Sequence, residues 1–184
     1  MTSTDLCIGF FTDVWNGGHV GFPQGASVLE IGSAEADWIG PMLDARPDLR
    51  IVGIDWRGAK NTRVITGDVL TTEWPPASFD AVVAISTIEH IGLGCYDAPV
   101  DEAGDTKTMQ RIAEWLKPGG VCYFDVPYRP HGPYAVHSNF RAYDPEHLDA
   151  RLLTPSGLKK EYAQVFNAKN ADAPYIACVL RKAA

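Results

Sequence analysis

Two short apolar runs, Val28-Leu29-Glu30-Ile31-Gly32 and Ile51-Val52-Gly53-Ile54-Asp55, constrain this chain more than any other feature. Each ends on a glycine or an acidic residue, and the segment between them is long enough for one helix. Runs of this kind suit strands covered on both faces, and two of them joined through a helix make a parallel βαβ unit. In such a unit ligands gather beyond the carboxyl ends of the strands. The pattern therefore brings Glu30, the loop from Gly32 and Asp55 to one edge of a sheet, with Asp55 placed to face a ribose.

The rest of the chain extends this unit. Strands are expected at 27–31, 50–55, 62–66, 79–85 and 121–126, and helices over 37–45, 106–116 and 145–153. Pro41 is acceptable only near a helix start, and Met109, Ile112, Ala113 and Leu116 recur at helical spacing until Lys117-Pro118-Gly119-Gly120 stops the run. Two final segments, 159–166 and 175–181, pair as a hairpin. The expected fold is α/β: a three-layer Rossmann-like sheet, mostly parallel, with an antiparallel C-terminal hairpin. A length of 184 residues fits one domain, with 1–26 as an N-terminal cap segment and 27–184 as the core. In the cap, Phe10, Phe11, Val14 and Trp15 form one apolar face of a short helix broken by Asn16-Gly17-Gly18.

Charge and composition exclude several classes. The net charge is −7 and no basic block tracks a phosphate backbone, so nucleic acid and anionic membrane surfaces are not expected partners. Cys7, Cys95, Cys122 and Cys178 form no C-x-x-C pair. With no secretory signal at the start, they read as reduced thiols of a cytoplasmic protein rather than disulfides or zinc ligands. No apolar run is long enough to span a bilayer. His131 and His137 follow no recognised ligand spacing, so no metal is expected.

Taken in order, these residues resemble the class I S-adenosylmethionine-dependent methyltransferases over Ser27 to the end. Val28-Leu29-Glu30-Ile31-Gly32 matches the first half of the cofactor motif, and Asp55 the acidic residue after strand two. Gly67-Asp68-Val69 matches the acidic position after strand three. The strand-four motif is Phe79 to Ser86 with Ile88-Glu89-His90, and Leu116-Lys117-Pro118-Gly119-Gly120 is the turn before strand five. One departure is plain: where the family writes G-x-G-x-G, this chain has Gly32-Ser33-Ala34-Glu35-Ala36. Alanine does not take a positive φ cheaply, so the loop follows a more ordinary path or the cofactor sits further out. This Gly-Ser-Ala form resembles a sparsely characterised branch of the superfamily.

The resemblance implies S-adenosylmethionine as cofactor and S-adenosylhomocysteine as product. Local charge agrees, because Glu30, Glu35 and Asp37 would repel a dinucleotide's pyrophosphate and suit an ammonium and a sulfonium. Glu35 and Asp37 equally suit the start of a helix dipole. The cofactor residues implied are Glu30, Gly32, Ser33, Ala34, Asp55, Trp56, Asp68, Val69, Ser86 and Thr87. Asp55 would accept from both ribose hydroxyls, Asp68 from the adenine amino group, and Val69 would donate to the ring. Trp56 would cover the adenine face, or is simply a packing residue. Bland alternatives for Asp55 and Asp68 are a strand-end cap and a turn aspartate.

For the chemistry, His90 is the base candidate and Glu89 either orients it or meets the cofactor's amine end. His90 in the bland alternative only bonds local backbone. Tyr128, His131, His137 and Arg141 each read singly as solvated loop residues and together as a polar acceptor pocket on the segment after strand five, with Tyr128 and His137 as the catalytic candidates. Cys95 has no indicated base and reads as unreactive. The expected activity is methyl transfer to a small-molecule acceptor, by O-methylation, since no Asn-Pro-Pro-Tyr motif follows strand four. A homodimer is compatible with this reading. The alternatives are a non-catalytic nucleoside-binding or interaction module, favoured by the altered glycine loop, and an NAD-dependent oxidoreductase, disfavoured by the acidic loop and the terminal hairpin.

Overall fold

The structure is a computed structural model that describes residues 11, 15, 18, 21–35, 38–58, 63–167 and 174–184. Expectations that fall on Cys7, Phe10, Val14, Asn16, Gly17, Ala36, Asp37 and Thr62 lie outside the described residues. In chain order the elements are β1 (Ser27–Ile31), a 3-10 turn (Ser33–Glu35), α1 (Ile39–Ala45), β2 (Arg50–Asp55), β3 (Val64–Thr66) and β4 (Phe79–Ile85). Two 3-10 turns follow (Ile88–His90 and Cys95–Asp97), then α2 (Gly104–Trp115) and β5 (Leu116–Pro127). A small hairpin comes next, β6 (Ala135–Val136) and β7 (Arg141–Ala142). The helical stretch after it starts as α3 (Pro145–Leu148), widens to a π segment (Asp149–Leu153) and closes as α4 (Thr154–Ser156). The chain ends with β8 (Lys159–Phe166) and β9 (Tyr175–Arg181).

The seven-stranded sheet has the order β3-β2-β1-β4-β5-β9-β8. β1 to β5 pair in parallel, while β9 enters antiparallel between β5 and β8. The strand order reverses at β1, whose neighbours are β2 and β4. That reversal opens a crevice at the carboxyl ends of those strands.

Both faces of the sheet are covered, as the apolar strands require. Along β4, Val82 and Ala84 join Met109, Ile112, Trp115 and Leu152 on one side. Ala81, Val83 and Ile85 join Phe11, Trp38 and Met42 on the other. Adjacent residues alternate between the two cores because side chains on a strand alternate with period two. Phe11 and Trp15 are both helical, and Phe11 is fully buried against Trp38 and Tyr123.

Two features were not expected. Residues 127–143 contain the β6–β7 hairpin, paired through Ala135 with Ala142 and Val136 with Arg141. Arg141, expected as a solvated loop residue or as part of a polar acceptor pocket, is instead 1% exposed. Its Nε lies 3.6 Å from Asp105 Oδ2 in the first turn of α2. It also donates through Nη1 to the Ile91 carbonyl at 2.7 Å. Asp105 is fully buried and also accepts from Arg151 Nε at 2.8 Å, Arg151 Nη2 at 2.6 Å and the Tyr143 hydroxyl at 2.8 Å. A buried guanidinium with its carboxylate removed is an uncompensated charge. Asp105→Ala is therefore expected to destabilise the fold by about 3–5 kcal/mol in urea unfolding.

Among the described residues, no helix is long and apolar enough to cross a membrane.

Candidate functional site at the carboxyl ends of the parallel strands

Buried carboxyl groups stand at the carboxyl ends of the parallel strands. Glu30 at the end of β1 is 2% exposed, Asp55 at the end of β2 is 7% exposed, and Glu89 after β4 is fully buried. Glu30 Oε1 accepts from the Trp38 indole N–H at 2.8 Å. Glu30 Oε2 has no hydrogen-bond partner among the described residues, and Glu89 Oε2 has none either. Burial pushes the Glu30 carboxyl up to about 7, against bonds from Ser33 and Trp38, with the nearby Asp55 charge adding to the rise. Burial raises Glu89 as well, opposed by His90 and by the Ser86 hydroxyl.

The glycine loop resolves its departure from the family pattern by an ordinary backbone. Gly32 is left-handed, with φ +88°, and a Cβ there would stand 2.1 Å from Thr87 Oγ1. Residues Ser33–Glu35 then form a 3-10 turn, and neither Ser33 nor Ala34 takes a positive φ. Ser33 is buried, and its hydroxyl donates to the Glu30 carbonyl at 3.1 Å. Gly53 in β2 makes room for it, since a Cβ at that position would lie 2.1 Å from Ser33 Oγ.

The same turn aims the Ala34 N–H at Asp55 Oδ2, at 3.0 Å. Asp55 Oδ1 accepts from the Arg57 backbone N–H at 2.8 Å, and the Arg57 guanidinium bridges both oxygens at 3.2 and 3.3 Å. Arg57 also lies over the Tyr96 ring, 4.3 Å from its centroid. Trp56 is 41% exposed, and its indole N–H donates to the Tyr96 carbonyl at 3.0 Å. Asp68 Oδ1 caps the following turn by accepting from the Leu70 N–H at 2.8 Å, and Val69 is buried.

The turn after β4 carries Ser86, Thr87, Glu89 and His90. Ser86 is left-handed, with φ +46°, which strains a residue bearing a Cβ. Its N–H donates to Asp125 Oδ1 at 2.9 Å and its hydroxyl to Glu89 Oε1 at 2.9 Å. The Thr87 hydroxyl donates to the Ile85 carbonyl at 2.9 Å. His90 Nε2 stands 3.7 Å from Glu89 Oε1, and His90 Nδ1 bonds the Asn139 carbonyl. The Cys95 thiol donates to that same carbonyl at 3.1 Å, and burial raises its pKa, so it is not an activated nucleophile.

Of the acceptor-pocket candidates, Tyr128 is half-buried and pairs through its backbone with Tyr143, while His131 is exposed. His137 is exposed and stacks on Phe140 with centroids 4.3 Å apart. Asp125 was missed by sequence reasoning, although a lone carboxylate inside the apolar run Val121–Val126 signals a buried group needing partners. Arg57 and the Asn139 carbonyl carried no such signal.

The comparisons with known proteins agree with this architecture. A family model described as "Caenorhabditis protein of unknown function, DUF268" matches residues 69–150. No curated protein matches the chain. Among solved structures, the chain is similar to 1,6-didemethyltoxoflavin-N1-methyltransferase of Burkholderia thailandensis, crystallised with 1,6-didemethyltoxoflavin and S-adenosylhomocysteine. That match has a TM-score of 0.74 at 18% identity and covers 100% of this chain and 79% of the other. The 4+2 cyclase SpnF matches with a TM-score of 0.71 at 15% identity, over 98% of this chain and 79% of the other. An S-adenosylmethionine-dependent methyltransferase of Mesorhizobium loti matches with a TM-score of 0.63 at 12% identity, over 92% of this chain and 97% of the other. The chain has the fold of the class I S-adenosylmethionine-dependent methyltransferases.

Glu30 has a direct consequence for stability. Its carboxyl rises from the ordinary 4.5 to about 7 in the folded protein, so the folded state holds the proton more tightly than the unfolded chain. The resulting stability is fully present below pH 4.5 and is lost as pH climbs to about 7. The loss is on the order of 3 kcal/mol. Glu30→Gln keeps an acceptor for Trp38 and cannot ionise. Its unfolding free energy should show less decline than the wild type between pH 5 and pH 8.

Proposed function

We propose that the protein binds S-adenosylmethionine beyond β1, β2 and β4 and transfers its methyl group to an oxygen of a small acceptor. The observation that carries this reading is the pair of buried carboxylate oxygens, Glu30 Oε2 and Glu89 Oε2, without hydrogen-bond partners among the described residues. Buried carboxylates without partners favour a cationic ligand over an anionic one. An ammonium and a sulfonium answer that demand, whereas a pyrophosphate would add to the repulsion.

Glu30 and Glu89 would meet those positive charges, with Gly32, Ser33 and Ala34 forming the floor. Asp55 would take the ribose hydroxyls, exchanging its contacts with Arg57 for them. Asp68 and Val69 would hold the adenine edge, Trp56 its face, and Ser86 and Thr87 would bound the reacting end. When bound, the cofactor supplies an electrophilic methyl carbon. The protein's share is to hold the acceptor in line with it and remove a proton.

His90 is suited to that proton. With Nδ1–H donated to the Asn139 carbonyl, Nε2 carries the free lone pair. Once Nε2 is protonated it faces Glu89 Oε1, which stabilises the imidazolium. His137 sits two residues from Asn139, and Tyr128 lies at the base of the same segment, so both are assigned to the acceptor.

A second reading, a nucleoside-binding module without catalysis, draws on Asp55, whose oxygens already accept from Arg57 and Ala34. Calorimetry with S-adenosylmethionine and S-adenosylhomocysteine tests the cofactor assignment. Binding is expected, and Asp55→Ala should weaken it by about 1–3 kcal/mol. Absence of binding to either compound sinks the proposal. Binding without product release across a panel of hydroxylated acceptors favours the module. With a turned-over acceptor in hand, His90→Ala should lower the rate by about 10²–10⁴-fold.

A further inference from the structure

We propose that Asp125 and Ser86 are positioning residues, which fix the Glu89 carboxylate beside the His90 nitrogen that receives the proton; this rests on the reaction assigned above. Asp125 lies near the end of β5, is fully buried, and meets the turn after β4 at Ser86. Its Oδ2 accepts from the Tyr123 hydroxyl at 3.1 Å and its Oδ1 from the Ser86 N–H at 2.9 Å. A carboxylate bonded to a backbone amide is a strong, directional contact. Here it holds Ser86 in the left-handed conformation that a side chain disfavours, at φ +46°.

That conformation is what turns the Ser86 hydroxyl onto Glu89 Oε1, at 2.9 Å. The same oxygen is the one 3.7 Å from His90 Nε2. Tyr123, Asp125, Ser86, Glu89 and His90 thus form one continuous polar path from the sheet interior to the candidate base. A simple structural role would not require the strained residue to be a serine, because glycine fits a left-handed turn without strain.

Among the described residues, several groups approach His90 and Glu89 from neighbouring elements. Asn139 supplies its carbonyl and Cys95 its thiol from the two loops above. Arg141 of β7 donates to the Glu89 carbonyl at 3.4 Å, and Tyr143 lies close enough to feel the Glu89 charge. Asp125 and Tyr123 approach from β5 through Ser86.

The test is the titration of the His90 ring followed by nuclear magnetic resonance in the full chain. Ser86→Ala removes a hydrogen bond that favours the charged carboxylate, so less negative charge faces His90. Its proton affinity should fall about threefold or more, half a pKa unit. Asp125→Ala should shift it in the same direction, and Asp125→Asn, which keeps an oxygen for the Ser86 N–H, should restore most of the loss. Glu89→Gln sets the full size of the effect. An unchanged His90 titration in Ser86→Ala overturns the proposal, as does an Asp125→Asn protein no closer to wild type than Asp125→Ala. Where Asp125→Ala does not fold, Ser86→Ala decides. Calorimetry with S-adenosylhomocysteine on the wild type runs alongside. A Ser86 effect without such binding removes the methyltransferase reading and leaves the positioning path standing.

Discussion

The Asp105 carboxylate holds together parts of the chain that no strand pairing connects. It sits in the first turn of α2, where the helix dipole already favours a negative charge. Arg141 reaches it from β7, Arg151 from the π segment and Tyr143 from the stretch between them. The same arginines donate to the carbonyls of Ile91 and Glu102, so the loop after β4 is tied to the helix that covers it. That tie adds to the bonds of Ser86 and Asn139 in holding the turn that bears Glu89 and His90. Burial raises the Tyr143 hydroxyl well above its usual range, so it remains a donor to Asp105 at all ordinary pH values.

Above this anchor, the strand ends gather buried carboxyl groups. Placing Glu30, Asp55 and Glu89 at three strand ends costs desolvation energy that folding alone does not recover. The loop from Gly32 lessens part of the cost by donating the Ala34 N–H to Asp55. Arg57 offsets more of it from outside. What is left over, an oxygen on Glu30 and another on Glu89 without a hydrogen-bond partner among the described residues, is where a ligand's positive charge would be most effective. The fold itself does not name the reaction, since a cyclase shares it with methyltransferases. The side chains at the strand ends, not the fold, set what chemistry can occur there.

Sequence reasoning reached the sheet more closely than the site. β1, β2, β4 and β9 fall at the residues expected, because apolar runs bounded by turn residues leave little freedom in where a buried strand can lie, and the exposed edge strand β8 follows as the partner of β9. The helix expected over 145–153 continues to Ser156 through a π segment, a change of winding that side-chain periodicity does not encode. Arg141 was misplaced for a related reason. An arginine in a polar, aromatic stretch reads as solvated, and only the three-dimensional approach of Asp105 shows that it is buried.

By itself the sequence determined the layers, the parallel strands with their closing hairpin, and the acidic character of the strand ends. These follow from local patterns: apolar period, turn residues and the identity of residues one or two places beyond a strand. Tertiary structure decided which oxygens of those acids are engaged, that Ser86 is turned left-handed by Asp125, and that His90 meets Asn139 from a loop 49 residues away. Such contacts join residues far apart in the chain. They depend on hydrogen-bond distances of about 3 Å that only the packed sheet and its covering helices set.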